Sequence, residues 1–209
     1  MKTTREKIVE EALKGFLTEG YERTSLRTVS ESVEISKPAI YHYFRDKKKL
    51  LFTVQEFLLK IFDQQYEQLF QQEISLEEIL EYFFTSVKNV QLMFQELTGF
   101  KIQDRFNYHR FFFDCVDKGG APLIEKSYRE QERLLAEKIK DAQELKQVSK
   151  ELDAESLAFT IIALLEGTYL LSLYLPSLDI DIMAQKMLVN AKRMIFIRDQ
   201  EYSKKLNAR

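Results

Sequence analysis

Residues 20–50 read GYERTSLRTVSESVEISKPAIYHYFRDKKKL. Two short apolar patterns at helical spacing lie inside this stretch. The first carries Leu26, Val29 and Val33; the second carries Ala39, Ile40, Tyr43 and Phe44. Thr24-Ser25 can cap the first and Ser36 the second, because a hydroxyl at the N-cap accepts from the free N–H groups of the first turn. Pro38 suits a first turn, where its missing N–H is no loss. Val33-Glu34-Ile35 forms the turn between them. This is the spacing of a helix-turn-helix, whose second helix can lie in a DNA major groove. Ile40 and Phe44 would pack inward. Lys37, Pro38, Ala39, Tyr41, His42 and Tyr43 then include the residues able to face DNA. Seven Lys/Arg against three Asp/Glu fall in residues 23–49, net +4, enough for a local phosphate-attracting patch.

Outward from this stretch the helical signal continues. Thr3-Thr4-Arg5-Glu6 is a capping-box pattern, and Ile8, Ala12, Leu13, Phe16 and Leu17 follow at helical spacing up to Gly20. Asp46 can cap a fourth helix that runs to about Gln72 with Leu50, Val54, Phe57, Leu58 and Ile61 on one stripe. Further helices are expected at roughly 76–98, 100–118, 121–147, 153–175 and 179–200. No stretch alternates convincingly enough for a strand. The expected fold is all-α, with about nine helices. A three-helix DNA-binding head at 1–47 precedes a helical body at 48–209. Residues 1–50 carry net +3 and residues 51–209 net −5, a slightly basic head on an acidic body.

Composition narrows the function classes. The chain has 209 residues, 45% hydrophobic and 31% charged, with net charge −2, which is globular rather than disordered. Cys115 is the one cysteine, so neither an intrachain disulfide nor a Cys-rich zinc site is available. It reads as a small buried hydrophobe rather than a redox sensor. The two histidines, His42 and His109, are too far apart in sequence for a metal pair, and no Glu-x-x-His occurs. No phosphate-cradling glycine motif is present. No catalytic residue, metal or cofactor is expected. A reducing cytoplasm fits, and no signal peptide opens the chain.

The head resembles the TetR/AcrR family of bacterial one-component repressors. The matching residues are Gly20-Tyr21, Thr24, Leu26, Val29, Ile35-Ser36-Lys37, Ile40-Tyr41-His42-Tyr43-Phe44, Lys47 and Leu50. The family turn usually reads Ala-Gly-Val, so Glu34 stands where glycine is common and its Cβ must adopt the turn conformation. Thr28 and Ser30 replace an acidic residue or Ile and an Ala. Tyr43 sits where His is common, and its phenol keeps a donor for phosphate. The resemblance implies DNA contacts from Thr24, Ser25, Ser36, Lys37, Pro38, Ala39, Tyr41, His42, Tyr43 and Lys47. It also implies a homodimer on a palindromic double-stranded operator, released by a small effector. Each residue keeps a plainer alternative: tyrosines that simply pack, lysines that are simply solvated, and a Thr24 that only caps its helix.

In the body, aromatic residues crowd 82–113. An apolar effector site would draw on Phe83, Phe94, Asn107, Tyr108, Phe111 and Phe112, and a filled core has the same composition. Asn89, Gln95, His109 and Arg110 are further polar residues there. Ile161, Leu164 and Thr168 on one expected helix, with Met187, Ala191 and Met194 on the next, mark a dimer interface, which resembles a core cut in half. The run LAFTIIALLEGTYLLSLYL at 157–175 almost reaches the ~20 residues of a membrane span. Glu166 interrupts it, and burial by other helices on several sides explains it better, so no membrane partner is expected. The alternative reading is a helical enzyme or lipid-binding protein built on the aromatic region. It lacks a nucleophile–base pair that can be named.

Overall fold

The computed structural model describes residues 2–85, 105–175 and 177–197. The described residues are helical almost throughout, and they divide into two compact units. One comprises residues 1–64 with 90–127, the other 65–89 with 128–209. The divisions fall inside two 24-residue helices, Lys47–Phe70 and Ala121–Glu144.

The first unit opens with α1, Thr4–Thr18. The expected capping box forms: the Thr3 N–H donates to Glu6 Oε2 at 2.7 Å and the Glu6 N–H to Thr3 Oγ1 at 3.3 Å. Ile8, Ala12, Leu13, Phe16 and Leu17 are buried along one face. Gly20, at φ 86°, turns the chain after the helix. Helices α2 (Leu26–Ser32) and α3 (Lys37–Tyr43) follow. The turn between them holds Glu34 at φ 59°, the left-handed conformation that favours glycine. The Ile35 N–H closes it by donating to Ser30 O at 3.0 Å. α4, Lys47–Phe70, begins behind Asp46, whose Oδ1 accepts from the Lys49 N–H at 2.7 Å. Ile40, Phe44, Leu50, Leu51, Val54 and Leu58 are buried.

The same unit contains α6, Arg105–Asp117, and the first turns of α7, Ala121–Glu144. α6 packs on α1, with the Phe111 ring stacked 6.5 Å from Phe16. Between α6 and α7 the chain passes so close to α4 that a Cβ at Gly120 would strike Gln55 Oε1. Gln55 Nε2 donates to Gly120 O at 2.9 Å, fixing that approach.

The second unit contains residues 76–85, helix α5, together with α8 (Ala154–Tyr174) and α9 (Ile180–Ile195). Its core joins Leu69 and Phe70 to Ile79, Leu80 and Phe83, Leu135 and Ile139, Ile161 and Ile195. Ser75, Asp153 and Asp179 cap α5, α8 and α9 through backbone N–H groups. Lys192 of α9 bridges Glu77 and Glu81 of α5 at 2.8 and 2.6 Å. A single β-bridge among the described residues pairs Val148 with Phe196. The expected ends near 98 and 100 lie outside the described residues.

α8 departs from expectation. It is long and apolar enough to cross a membrane by length and composition, and it is buried on one side only within the chain. Ala154, Ala158, Ile161, Thr168 and Ser172 face the core. Phe159, Leu164, Leu170, Leu171 and Tyr174 remain exposed. Packing on several sides within the chain is therefore corrected to packing on one.

Candidate nucleic-acid interface

α3 is a seven-residue helix with two different faces. Ile40 is fully buried, as is Phe44 at its C-cap. Tyr41 and Tyr43 are 50% and 44% exposed, unusual for aromatics that could have turned inward. Lys37, Pro38 and His42 are exposed beside them, and Ala39 is half-buried. Ser36 sets the helix start, its Oγ accepting from the Ala39 N–H at 3.3 Å. Ser25 does the same for α2, accepting from the Thr28 N–H at 3.1 Å. Thr28 Oγ1 accepts in return from the Ser25 N–H at 3.0 Å, so a threonine closes the capping box usually closed by an acid.

Two of the expected contact residues are engaged within the chain. Thr24 is buried, not presented as a cap: its hydroxyl donates to Gly20 O at 2.9 Å and its N–H to the same oxygen at 3.2 Å. The physical reason is a close approach to α1, where a Cβ at Gly15 would lie 2.9 Å from Thr24 Cγ2. Lys47 is half-buried and engaged within the chain. Its ammonium donates to Tyr21 O at 2.9 Å and lies 4.2 Å from the centroid of the Tyr21 ring. Lys48 and Lys49 stay exposed beside it.

The expected effector residues are divided between the two units. Phe83 belongs to the second unit, edge-on to Tyr66 and Phe70 at 5.5 and 6.0 Å. Phe111 is fully buried in the first unit against Phe16 and Phe112. Tyr108 packs against Phe112 at 5.0 Å and Phe62 at 6.5 Å, with Asn107 half-buried beside it. Burial holds His109 below the usual imidazole range. Phe94 lies outside the described residues. Arg110 is structural: its Nη2 lies 3.3 Å from both Leu17 O and Thr18 O at the end of α1.

The expected interface residues also separate. Ile161, Thr168 and Ala191 face their own core, and Met187 is half-buried. The Thr168 hydroxyl contacts Met187 Sδ at 2.9 Å. Leu164 and Met194 lie on the exposed side, with Phe159, Leu171, Ile182 and Val189.

The family model described as bacterial regulatory proteins, tetR family, matches residues 8–54. These run from inside α1, through both short helices and their turn, into α4. Residues 8–54 are thus similar to the DNA-binding head of the tetR family of bacterial regulatory proteins. A curated relative, the HTH-type transcriptional regulator TcmR of Streptomyces glaucescens, is 32% identical over 53 residues, covering 25% of this chain and 24% of TcmR. The match thus spans about a quarter of that relative's length. The fold extends further than the sequence likeness. A TetR-family transcriptional regulator from Cytophaga hutchinsonii superimposes with TM-score 0.74 at 19% identity, covering 93% of this chain and 95% of that one. The reduced form of E. coli NemR gives 0.71 at 20% identity, covering 92% and 98%. The body of this chain shares their architecture, and at these identities only that.

The sequence reading missed one feature, the contact of Arg110 and Asp114 with the end of α1.

Proposed function

We propose that this chain is a cytoplasmic, ligand-responsive transcriptional repressor. It binds a palindromic operator as a homodimer and is released by a small apolar effector. Residues 1–47 would contact DNA, and residues 48–209 would sense and dimerise. The observation that carries this reading is α3. Its apolar side is sunk in the core while Lys37, Tyr41, His42 and Tyr43 stand exposed together. Tyrosine hydroxyls and lysine ammonium groups are regular phosphate donors, and lysine reaches guanine O6 and N7. Ser25 and Ser36 start the two helices, each accepting from a backbone N–H three residues on. The exposed side of α8 and α9 supports a second copy as the partner: Leu171, Tyr174, Ile182 and Met194 line it. Two heads on neighbouring grooves need recognition helices ~34–36 Å apart, so an effector that moved α4 by a few ångströms would weaken binding.

The test is fluorescence anisotropy with the DNA flanking the chain's own gene. Lys37→Ala and Tyr41→Phe should weaken specific binding with the fold intact. Each lost phosphate contact should flatten the log-affinity against log-salt slope by ~0.9. Wild-type binding by both variants on a mapped operator would overturn the assignment of α3.

A further inference from the structure

Several cations of the first unit are already matched within the chain. Lys2 pairs with Glu10 at 2.7 Å and Arg27 with Glu31 at 2.8 Å. Lys47 is held by Tyr21, and Lys118 lies 3.1 Å from Asp117. Arg5 and Arg45 differ: both are exposed, and neither has a carboxylate partner among the described residues. They come from different elements and meet at one end of α3. The Arg5 guanidinium, in the first turn of α1, lies 5.5 Å from the centroid of the Phe44 ring. Phe44 is the C-cap of α3, and Arg45 is the next residue. Asp46, the carboxylate beside Arg45, is turned to cap α4, where its Oδ1 accepts from the Lys49 N–H at 2.7 Å. The C-terminal end of α3 is therefore flanked by two guanidinium groups, one of them set against a buried ring.

We propose that Arg5 and Arg45 form a phosphate clamp on double-stranded DNA at the C-terminal end of α3, so that α1 belongs to the DNA interface. The proposal rests on the reading of α3 as the recognition helix. Such a helix meets base edges with its N-terminal residues, here Lys37, Pro38 and Ala39. The seven residues of α3 span about 10 Å at about 1.5 Å per residue, and the major groove is about 12 Å wide. A helix this short, entering by its N-terminal end, brings its C-terminal end out beside the phosphate wall. A guanidinium group suits that place. Its planar donors match two phosphate oxygens, and it stays charged throughout the working range of pH. Contact with the Phe44 ring holds Arg5 in position before DNA arrives. Phosphate contacts orient a protein on the duplex and carry no sequence information. The clamp would therefore set the depth and angle of α3, while the N-terminal residues of that helix read the bases.

The test is a salt titration of the full chain on two duplexes of equal length, the DNA flanking the chain's own gene and an unrelated sequence. Binding is read by fluorescence anisotropy. Arg5→Ala and Arg45→Ala should each flatten the log-affinity against log-salt slope by ~0.9 for each head bound, and by the same amount on both duplexes. Arg5→Lys and Arg45→Lys, which keep the charge, should retain most of the wild-type slope. Lys37→Ala should behave differently, weakening the flanking DNA more than the unrelated duplex. With no partner among the described residues, Arg45 should be replaceable by alanine at an unchanged melting temperature. A role for Arg5 confined to packing on Phe44 would lower the melting temperature of Arg5→Ala and leave its slope unchanged. A wild-type slope in either alanine variant overturns the clamp. If Lys37→Ala still loses its preference for the flanking DNA, that result leaves α3 as the recognition helix. Failure of the wild type to bind either duplex at low salt overturns both.

Discussion

The backbone N–H of Tyr21 donates to Asp114 Oδ2 at 3.2 Å, across 93 residues of chain. One turn earlier on the same helix, Arg110 reaches the carbonyls of Leu17 and Thr18. α1 has no basic residue in its last turn, so its terminal carbonyls lack the local cation that often balances a helix C-terminus. α6 supplies one from a distant part of the sequence. A carboxylate four residues on takes the amide just beyond the turn. Lys118 extends the contact, 3.5 Å from Glu22 and 5.2 Å from the Tyr21 ring centroid.

Arg110→Ala should therefore destabilise the first unit by about 1.5–3 kcal/mol, the range for hydrogen bonds to a charged group. Urea unfolding of wild type and variant measures it. Asp114→Asn keeps the shape and an acceptor oxygen while removing the charge, so its loss should be smaller. A pair of variants indistinguishable from wild type would show that the contact carries no stability.

Glu34 supplies a prediction of opposite sign. Its φ of 59° places a Cβ in the left-handed region. Glu34→Gly should relieve that strain by more than it adds to unfolded-chain entropy. The expected net gain is about 0.5–1 kcal/mol, read as a rise in melting temperature. Operator affinity is the second measurement, since the turn sets α3 against α2. A lowered melting temperature would show that the turn is unstrained with glutamate in place.

The head was legible nearly residue by residue, because caps, breaks and apolar spacing act locally. Ser25, Ser36, Asp46 and Gly20 each do their work within four residues of themselves. Thr24 misled because its environment is set by Gly15 of α1, a close approach with no signature of its own. Arg110 and Asp114 were illegible for a related reason, since their partners lie about 90 residues away. α8 failed differently. Its apolar residues surround the helix, so spacing alone gives no phase. Ile161 and Leu164 read as one stripe, although one faces the core and the other the exposed side. The aromatic run showed where rings are dense, but not that Phe83 and Phe111 belong to different units.

The exposed side of α8 predicts the assembly. Leu171 is 55% exposed and Tyr174 72% exposed in the single chain. Leu171→Glu would place a charge in the proposed contact between copies without disturbing the intrachain core. Sedimentation should show a dimer for wild type and a monomer, or a much weaker dimer, for the variant. Ala191→Glu should instead damage folding, because Ala191 faces inward. A wild-type monomer at micromolar concentration would remove the dimer and the palindrome together.

Cys115 is fully buried on α6, and burial pushes its thiol up to about 12, with the Asp114 carboxylate adding to the effect. The thiolate is the reactive species. At pH 8 the native chain should react with a thiol-specific disulfide reagent only as fast as it unfolds, and denaturant should release full reactivity at once. Rapid labelling of the folded chain would show that α6 opens readily and would overturn the reading of this residue as a buried hydrophobe.

Glu166 makes stability depend on pH in a stated direction. Its carboxyl titrates above the usual range in the folded chain and near its ordinary value of about 4.3 when unfolded. Well below that value both states are protonated, and the group contributes no difference. As pH rises towards the folded value, the native state binds more protons than the unfolded one, so stability falls. Above the folded value the penalty is constant. Glu166→Gln removes the ionisation and leaves an acceptor for the Tyr128 hydroxyl. Melting temperatures of the two proteins should therefore coincide near pH 4 and separate as pH rises, with the variant the more stable at pH 8. A wild type that gained stability relative to the variant over that range would mean that a neighbouring cation already compensates Glu166.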